Sequence, residues 1–126
     1  MTRTAIAADT LAPAPGPFSA IIRSDGVLYL SGQVGVDPAT DQLAPGGVTA
    51  EAEQLFRNLA VALAAAGKGL DDVLRAGVFL ADMADYAAMN AVYAAHFSRP
   101  YPARTCVAVA GLPLGARVEI DLVVKA

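Results

Sequence analysis

The chain has 126 residues, 56% of them hydrophobic and 17% charged, with a formal net charge of −3 and a sequence pI near 4.9. This length suits one domain, residues 1–126, with one well-buried core, and the apolar fraction excludes a disordered chain. The acidic balance and scattered Arg and Lys disfavour nucleic-acid binding, which needs a basic face to displace counterions from phosphates.

Residues 1–9 hold one basic side chain and no apolar stretch of signal-peptide kind, so a cytoplasmic protein is expected. The longest apolar run, around residues 59–66, is far short of the ~20 residues that span a bilayer. A lone cysteine forms no internal disulfide, and His96 with Cys106 cannot supply a closed tetrahedral metal site. Residues 11–18 are rich in proline and glycine and read as a loop leading into the first strand. Segments 20–23 and 27–31 flank Ser24-Asp25-Gly26, the signal of a hairpin turn. Gly32 and Gly35 then mark a bulge or a close approach of backbone. A turn at residues 37–41 and a loop at 44–47 follow.

From Thr49 the period changes. Leu55, Phe56, Leu59, Leu63 and Ala66 fall on one helical stripe, with Glu51, Arg57 and Asn58 elsewhere on the cylinder. Thr49 can cap the start, and Gly67 can close the end in the left-handed conformation. Residues 73–80 read as a buried strand. Asp82 or Asp85 opens a second helix carrying Tyr86, Met89, Tyr93 and Phe97, which ends before Arg99-Pro100. The resulting order is β-hairpin, β, α, β, α, β, β, with two helices on one face of a sheet and the other face in need of cover. Val78, Val107, Val109, Ile120 and Leu122 exceed what two Ala-rich helices can bury, which predicts a closed homo-oligomer.

The last two strands hold the chemistry. In extended chain Arg104 and Cys106 share a face, while Glu119 lies on a strand whose apolar side carries Val118, Ile120, Leu122 and Val124. The two strands are expected to present guanidinium and carboxylate to one pocket. Arg104 reads either as an edge-strand arginine paired with an acid, the commoner case from spacing alone, or as a fork for a substrate carboxylate. Glu119 reads as a solvated strand position or as the group that orients a water molecule. Cys106 is expected to be a small buried side chain and not a nucleophile, and His96 a surface or interface side chain. Gly32, within Ser31-Gly32-Gln33, lets backbone approach a ligand, and Asn90 needs a partner for its amide inside a helix.

Gly16-Pro17-Phe18-Ser19, Ser31-Gly32-Gln33, Asn58-Leu59, Val78-Phe79-Leu80-Ala81-Asp82, Met89-Asn90-Ala91-Val92-Tyr93, Pro102-Ala103-Arg104-Thr105-Cys106-Val107, Leu112-Pro113 and Val118-Glu119-Ile120 occur in this order along nearly the whole chain. In order and spacing they resemble the Rid family of imine and enamine deaminases, also called the YjgF family. The resemblance implies an α+β, chorismate-mutase-like fold with a mixed sheet and two helices on one face. It implies a homotrimer enclosing a central barrel, with sites between subunits, and a last strand inserted within the sheet rather than paired with the strand before it. The implied activity is hydrolysis of 2-imino acids and their 2-amino-enoate tautomers to 2-oxo acids and ammonia, with no cofactor and no metal. In that scheme Arg104 binds the substrate carboxylate with support from the backbone at Cys106, and Glu119 positions the attacking water. Phe18, Ser31, Gly32 and Asn90 line the cleft. Phe18 departs from the tyrosine usual in the deaminase subgroup, so an altered rate or substrate preference is expected. A non-catalytic module that binds small carboxylates is the alternative, and the endoribonuclease or translation-inhibitor label also attached to the family is disfavoured by the acidic balance.

Overall fold

The computed structural model describes residues 2–8 and 15–126, so the first part of the proline-rich loop, residues 11–14, lies outside the described residues. Ten elements follow: β1 (Thr4–Ile6), β2 (Ile21–Ser24), β3 (Val27–Val34), β4 (Val36–Asp37), β5 (Gln42–Leu43), α1 (Val48–Ala65), β6 (Val73–Leu80), α2 (Tyr86–His96), β7 (Ala103–Ala108) and β8 (Val118–Lys125). Six strands form one mixed sheet in the order β1-β2-β3-β8-β6-β7, and β4 pairs with β5 alone. The β6–β7 pair is parallel and its neighbours are antiparallel. β8 therefore sits between β3 and β6, as the family resemblance implied, and makes no hairpin with β7.

The β2–β3 hairpin turns at Asp25 and Gly26, whose φ values of 48° and 78° are the left-handed pair that a tight two-residue turn requires. β1 is a strand the sequence reading did not assign; it pairs Ile6 with Ile21, and three residues are too few to display a period. Helix α1 begins after Gly47 and not at Thr49, which lies inside the first turn; no side chain caps the start. Its end is as expected. Gly67, at φ 72°, lets its own N–H reach Ala64 O at 2.9 Å and the Lys68 N–H reach Leu63 O at 2.9 Å.

Both helices cover the same face. Leu55, Phe56, Leu59 and Leu63 of α1 and Met89, Val92 and Tyr93 of α2 pack with Leu28, Leu30, Val78, Leu80, Val118, Ile120, Leu122 and Val124. This corrects the list of uncovered side chains: Val78, Ile120 and Leu122 point to the helices and are essentially inaccessible, whereas Val107 is 41% exposed on the other face. That open face mixes apolar and charged groups, with Tyr29, Phe79 and Val123 beside Arg75, Glu119 and Asp121.

A second correction concerns α1. Glu51, Gln54 and Asn58 are buried, although their polarity placed Glu51 and Asn58 away from the core stripe. Glu51 and Asn58 are satisfied by partners from outside the helix, and Gln54 by its helix neighbours Asn58 and Arg57. Asn58 Nδ2 donates to Val36 O at 2.8 Å and its Oδ1 accepts from Gln54 Nε2 at 3.0 Å, while Glu51 Oε1 accepts the Arg117 backbone N–H at 2.8 Å.

Candidate active site

Arg104 is in register with Ala76 of β6, so it faces the helices. There α2 presents Tyr86, Asn90 and Tyr93 at i, i+4 and i+7, one side of the helix. The guanidinium donates from Nη1 to Asn90 Oδ1 at 2.7 Å and from Nη2 to Tyr86 Oη at 3.1 Å. It also lies 4.7 Å from the ring centroid of Tyr93 and 5.6 Å from that of Tyr86, within cation–π range. No carboxylate pairs with it among the described residues, so the structural reading of an arginine matched to an acid does not describe it. Asn90 has the partner its helical position demanded.

Cys106 follows on the same face and packs against the core. Burial pushes its thiol pKa up, and the opposing effect of the Arg104 charge is smaller. A raised thiol pKa lowers the share of thiolate, the form that acts as nucleophile.

Glu119 lies elsewhere. It is opposite Phe79 on β6, as is Val107 on β7, and so belongs to the open face. The expected common pocket therefore does not exist within one chain: β6 separates the two strands, and Arg104 and Glu119 leave the sheet on opposite sides. The period-2 pattern fixes which residues of a strand share a side, but pairing through an intervening strand decides which side that is.

Glu119 folds over Gly32, and a Cβ at Gly32 would collide with Glu119 Oε2. The β3–β8 register shifts between Leu30 and Gln33, so the bulge expected near Gly32 and Gly35 is present and makes room for the carboxylate. Burial raises the Glu119 pKa, and the neighbouring Asp121 charge raises it further. Asp121 in turn covers Gly77 and accepts its N–H at 3.1 Å. Beside Asp121 the open face dips into a depression of about 510 Å³ bordered by Ser31, Tyr29, Arg75, Phe79, Thr105 and Asp121. Ser31 Oγ donates to Ser19 O at 2.6 Å, tying β3 to the loop that carries Phe18. Phe18 is 51% exposed, with its N–H on Gly16 O.

The candidate residues thus form two groups, Arg104, Asn90 and Cys106 on the helix side and Glu119, Ser31 and Gly32 on the open side. Sequence reasoning missed Tyr86 as a site residue and placed it in the core stripe; its spacing from Asn90 and Tyr93 was the available signal. His96 is a partly exposed side chain of α2. It stacks on Phe56 with centroids 4.5 Å apart and meets Glu53 Oε2 at 3.0 Å, so it joins α2 to α1. Among the described residues no cluster of His, Cys, Asp and Glu could hold a metal ion, and no helix is long and apolar enough to cross a membrane.

A family model described as Endoribonuclease L-PSP matches residues 9–126. The chain belongs to that family. Its members include the Rid proteins that the sequence motifs resemble. The chain is 46% identical over 115 residues to the 2-iminobutanoate/2-iminopropanoate deaminase of Mus musculus, covering 90% of this chain and 85% of that one. It is 42% identical to Protein DfrA of Myxococcus xanthus, covering 98% and 95% of the two chains. Among solved structures, RidA from an Antarctic Psychrobacter superposes with a TM-score of 0.92 at 41% identity, covering 98% of this chain and 99% of that one. The Rid-family protein YyfA of Yersinia pestis superposes with a TM-score of 0.94 at 30% identity, covering 99% and 100%. The α+β fold expected from the motifs is thereby the family's fold.

Proposed function

We propose that this Rid-family protein is a hydrolase acting on C–N bonds that converts short 2-imino acids, with their 2-amino-enoate tautomers, to 2-oxo acids and ammonia. The observation that carries the reading is Arg104: a guanidinium fixed by Asn90, Tyr86 and the Tyr93 ring, with no acid among the described residues to neutralise it. Such a fork suits the planar carboxylate that every 2-imino acid carries. Relatives named for deamination of 2-iminobutanoate and 2-iminopropanoate support the same substrate class.

A protonated imine is already electrophilic, so the protein's task is placement. Arg104, aided by the backbone at Cys106, holds the carboxylate, and Glu119 orients a water molecule toward C2. As the O–C2 bond forms, Glu119 accepts a proton from the water and then delivers it to nitrogen. The C2–N bond breaks, the carbinol proton leaves with the amine as ammonium, and the 2-oxo acid remains. Burial and the Asp121 charge raise the Glu119 pKa, which makes its carboxylate a stronger base toward the water than a solvated one. Alignment of this kind contributes up to about 7–11 kcal/mol in favourable intramolecular cases.

Because Arg104 and Glu119 leave opposite faces of one sheet, both act on one substrate only if they come from different copies. We infer a homotrimer in which each site combines the arginine of one copy with the carboxylate of another. The half-exposed Tyr29 and Val107 on the open face give such an assembly apolar surface to bury.

The test is release of pyruvate or 2-oxobutanoate from a serine or threonine dehydratase run with and without the protein. Acceleration by the wild type and none by Arg104→Ala is the expected result. Equal acceleration by both would remove the mechanism, and tight binding of small carboxylates without acceleration by the wild type would establish the non-catalytic module instead.

A further inference from the structure

The three α2 side chains around Arg104 are not equivalent. Asn90 presents a carbonyl oxygen to Nη1. Tyr93 presents the face of its ring, and its hydroxyl is buried without a hydrogen-bond partner among the described residues. Tyr86 is 38% exposed, and its oxygen accepts from Nη2 at 3.1 Å. A phenol that accepts through oxygen still has its own proton to donate. No group among the described residues takes that proton. The guanidinium and the phenol proton therefore lie side by side at the exposed rim of α2, as two donors for one anionic group.

We propose that Tyr86 is a substrate-binding residue whose hydroxyl donates to the carboxylate held by Arg104. The inference rests on the reading of Arg104 as the carboxylate fork and assigns that subsite a second side-chain donor. A carboxylate offers more acceptor positions than one bidentate arginine fills, so the phenol completes the recognition without competing for the fork. The contact identifies the ligand by its ionised planar carboxylate and makes no demand on the substituent at C3.

Tyr86→Phe removes the oxygen and keeps the ring over the guanidinium. The variant is compared with wild type and Arg104→Ala for turnover and for calorimetric binding of 2-oxobutanoate. The expected result for Tyr86→Phe is a KM and a Kd raised about tenfold or more, the loss of one hydrogen bond to a charged group, with kcat little changed. A second readout separates direct contact from an effect through Arg104: the infrared carboxylate stretch of isotope-labelled bound 2-oxobutanoate shifts in Tyr86→Phe if the phenol touches it. Unchanged affinity, or weaker binding with an unshifted carboxylate band, would overturn the assignment while leaving Arg104 in place. Undiminished binding and turnover in Arg104→Ala would instead overturn the reading of the fork and this inference with it.

Discussion

Glu119 titrates in a way that stability measurements can follow. Burial and Asp121 raise its folded-state pKa above the unfolded value, so the folded protein holds this proton more tightly than the unfolded chain does. Its favourable contribution is complete below the unfolded pKa and is lost as pH rises through the folded pKa. Glu119→Gln removes the effect, so the variant melts above wild type at neutral pH and the two converge in acid. Melting temperatures from about pH 3 to about pH 8 check this, and a variant less stable at neutral pH would show that the carboxylate is held by favourable contacts instead. At this scale the sequence was informative about identity and silent about direction. Arg104, Asn90 and Glu119 were recognisable from their motifs and from the cost of placing polar groups in apolar segments. That α2 would clasp Arg104, and that Glu119 would face away from it, depends on contacts between segments far apart in the chain.

Elements were legible where their pattern is local. β6 occupies the expected residues because a mostly apolar run, with Val73, Ala76, Val78 and Leu80 buried, forms one strand against the helices. The end of α1 follows from Gly67. Its start was displaced because Gly47 rather than a polar side chain precedes the first turn, and its buried Glu51 and Asn58 answer to partners outside the helix. Two glycines near one bulge show how differently neighbouring positions constrain the elements. A Cβ at Gly35 would strike the Glu51 backbone of α1, which cannot swing aside, whereas a Cβ at Gly32 would strike the end of the Glu119 side chain, which can. Gly35→Ala is accordingly expected to destabilise by about 1–3 kcal/mol or more through overpacking. Gly32→Ala is expected to unfold near the wild-type midpoint and to lose turnover, because the displaced group is the proposed base. Urea titration and the dehydratase-coupled assay distinguish the two; equal stability loss in both would mean that Glu119 is as rigidly held as helix backbone.

For the whole molecule, the division of the candidate residues between two faces gives assembly a direct assay. Arg104→Ala and Glu119→Gln, each inactive alone, are unfolded together and refolded as a mixture. If every site joins two copies, about a quarter of the sites regain both native groups and activity returns, with light scattering reporting a trimer. No recovery from a correctly assembled mixture would place both groups in one copy. Hydropathy could predict that a sheet face wanted cover, but it misjudged which valines and leucines were uncovered, since both faces of β6 and β8 carry apolar side chains and register alone sorts them. The position of β8 has a consequence of another kind, in the order of events during synthesis. β8 comes after every other strand of its sheet in sequence order yet fills the gap between β3 and β6, so until residues 118–125 have left the ribosome the nascent chain carries two open strand edges and an unfinished core. Helices and the β2–β3 hairpin can form as they emerge, but the sheet closes only once β8 is out, and nascent chains stalled before Val118 are therefore the ones most dependent on chaperones.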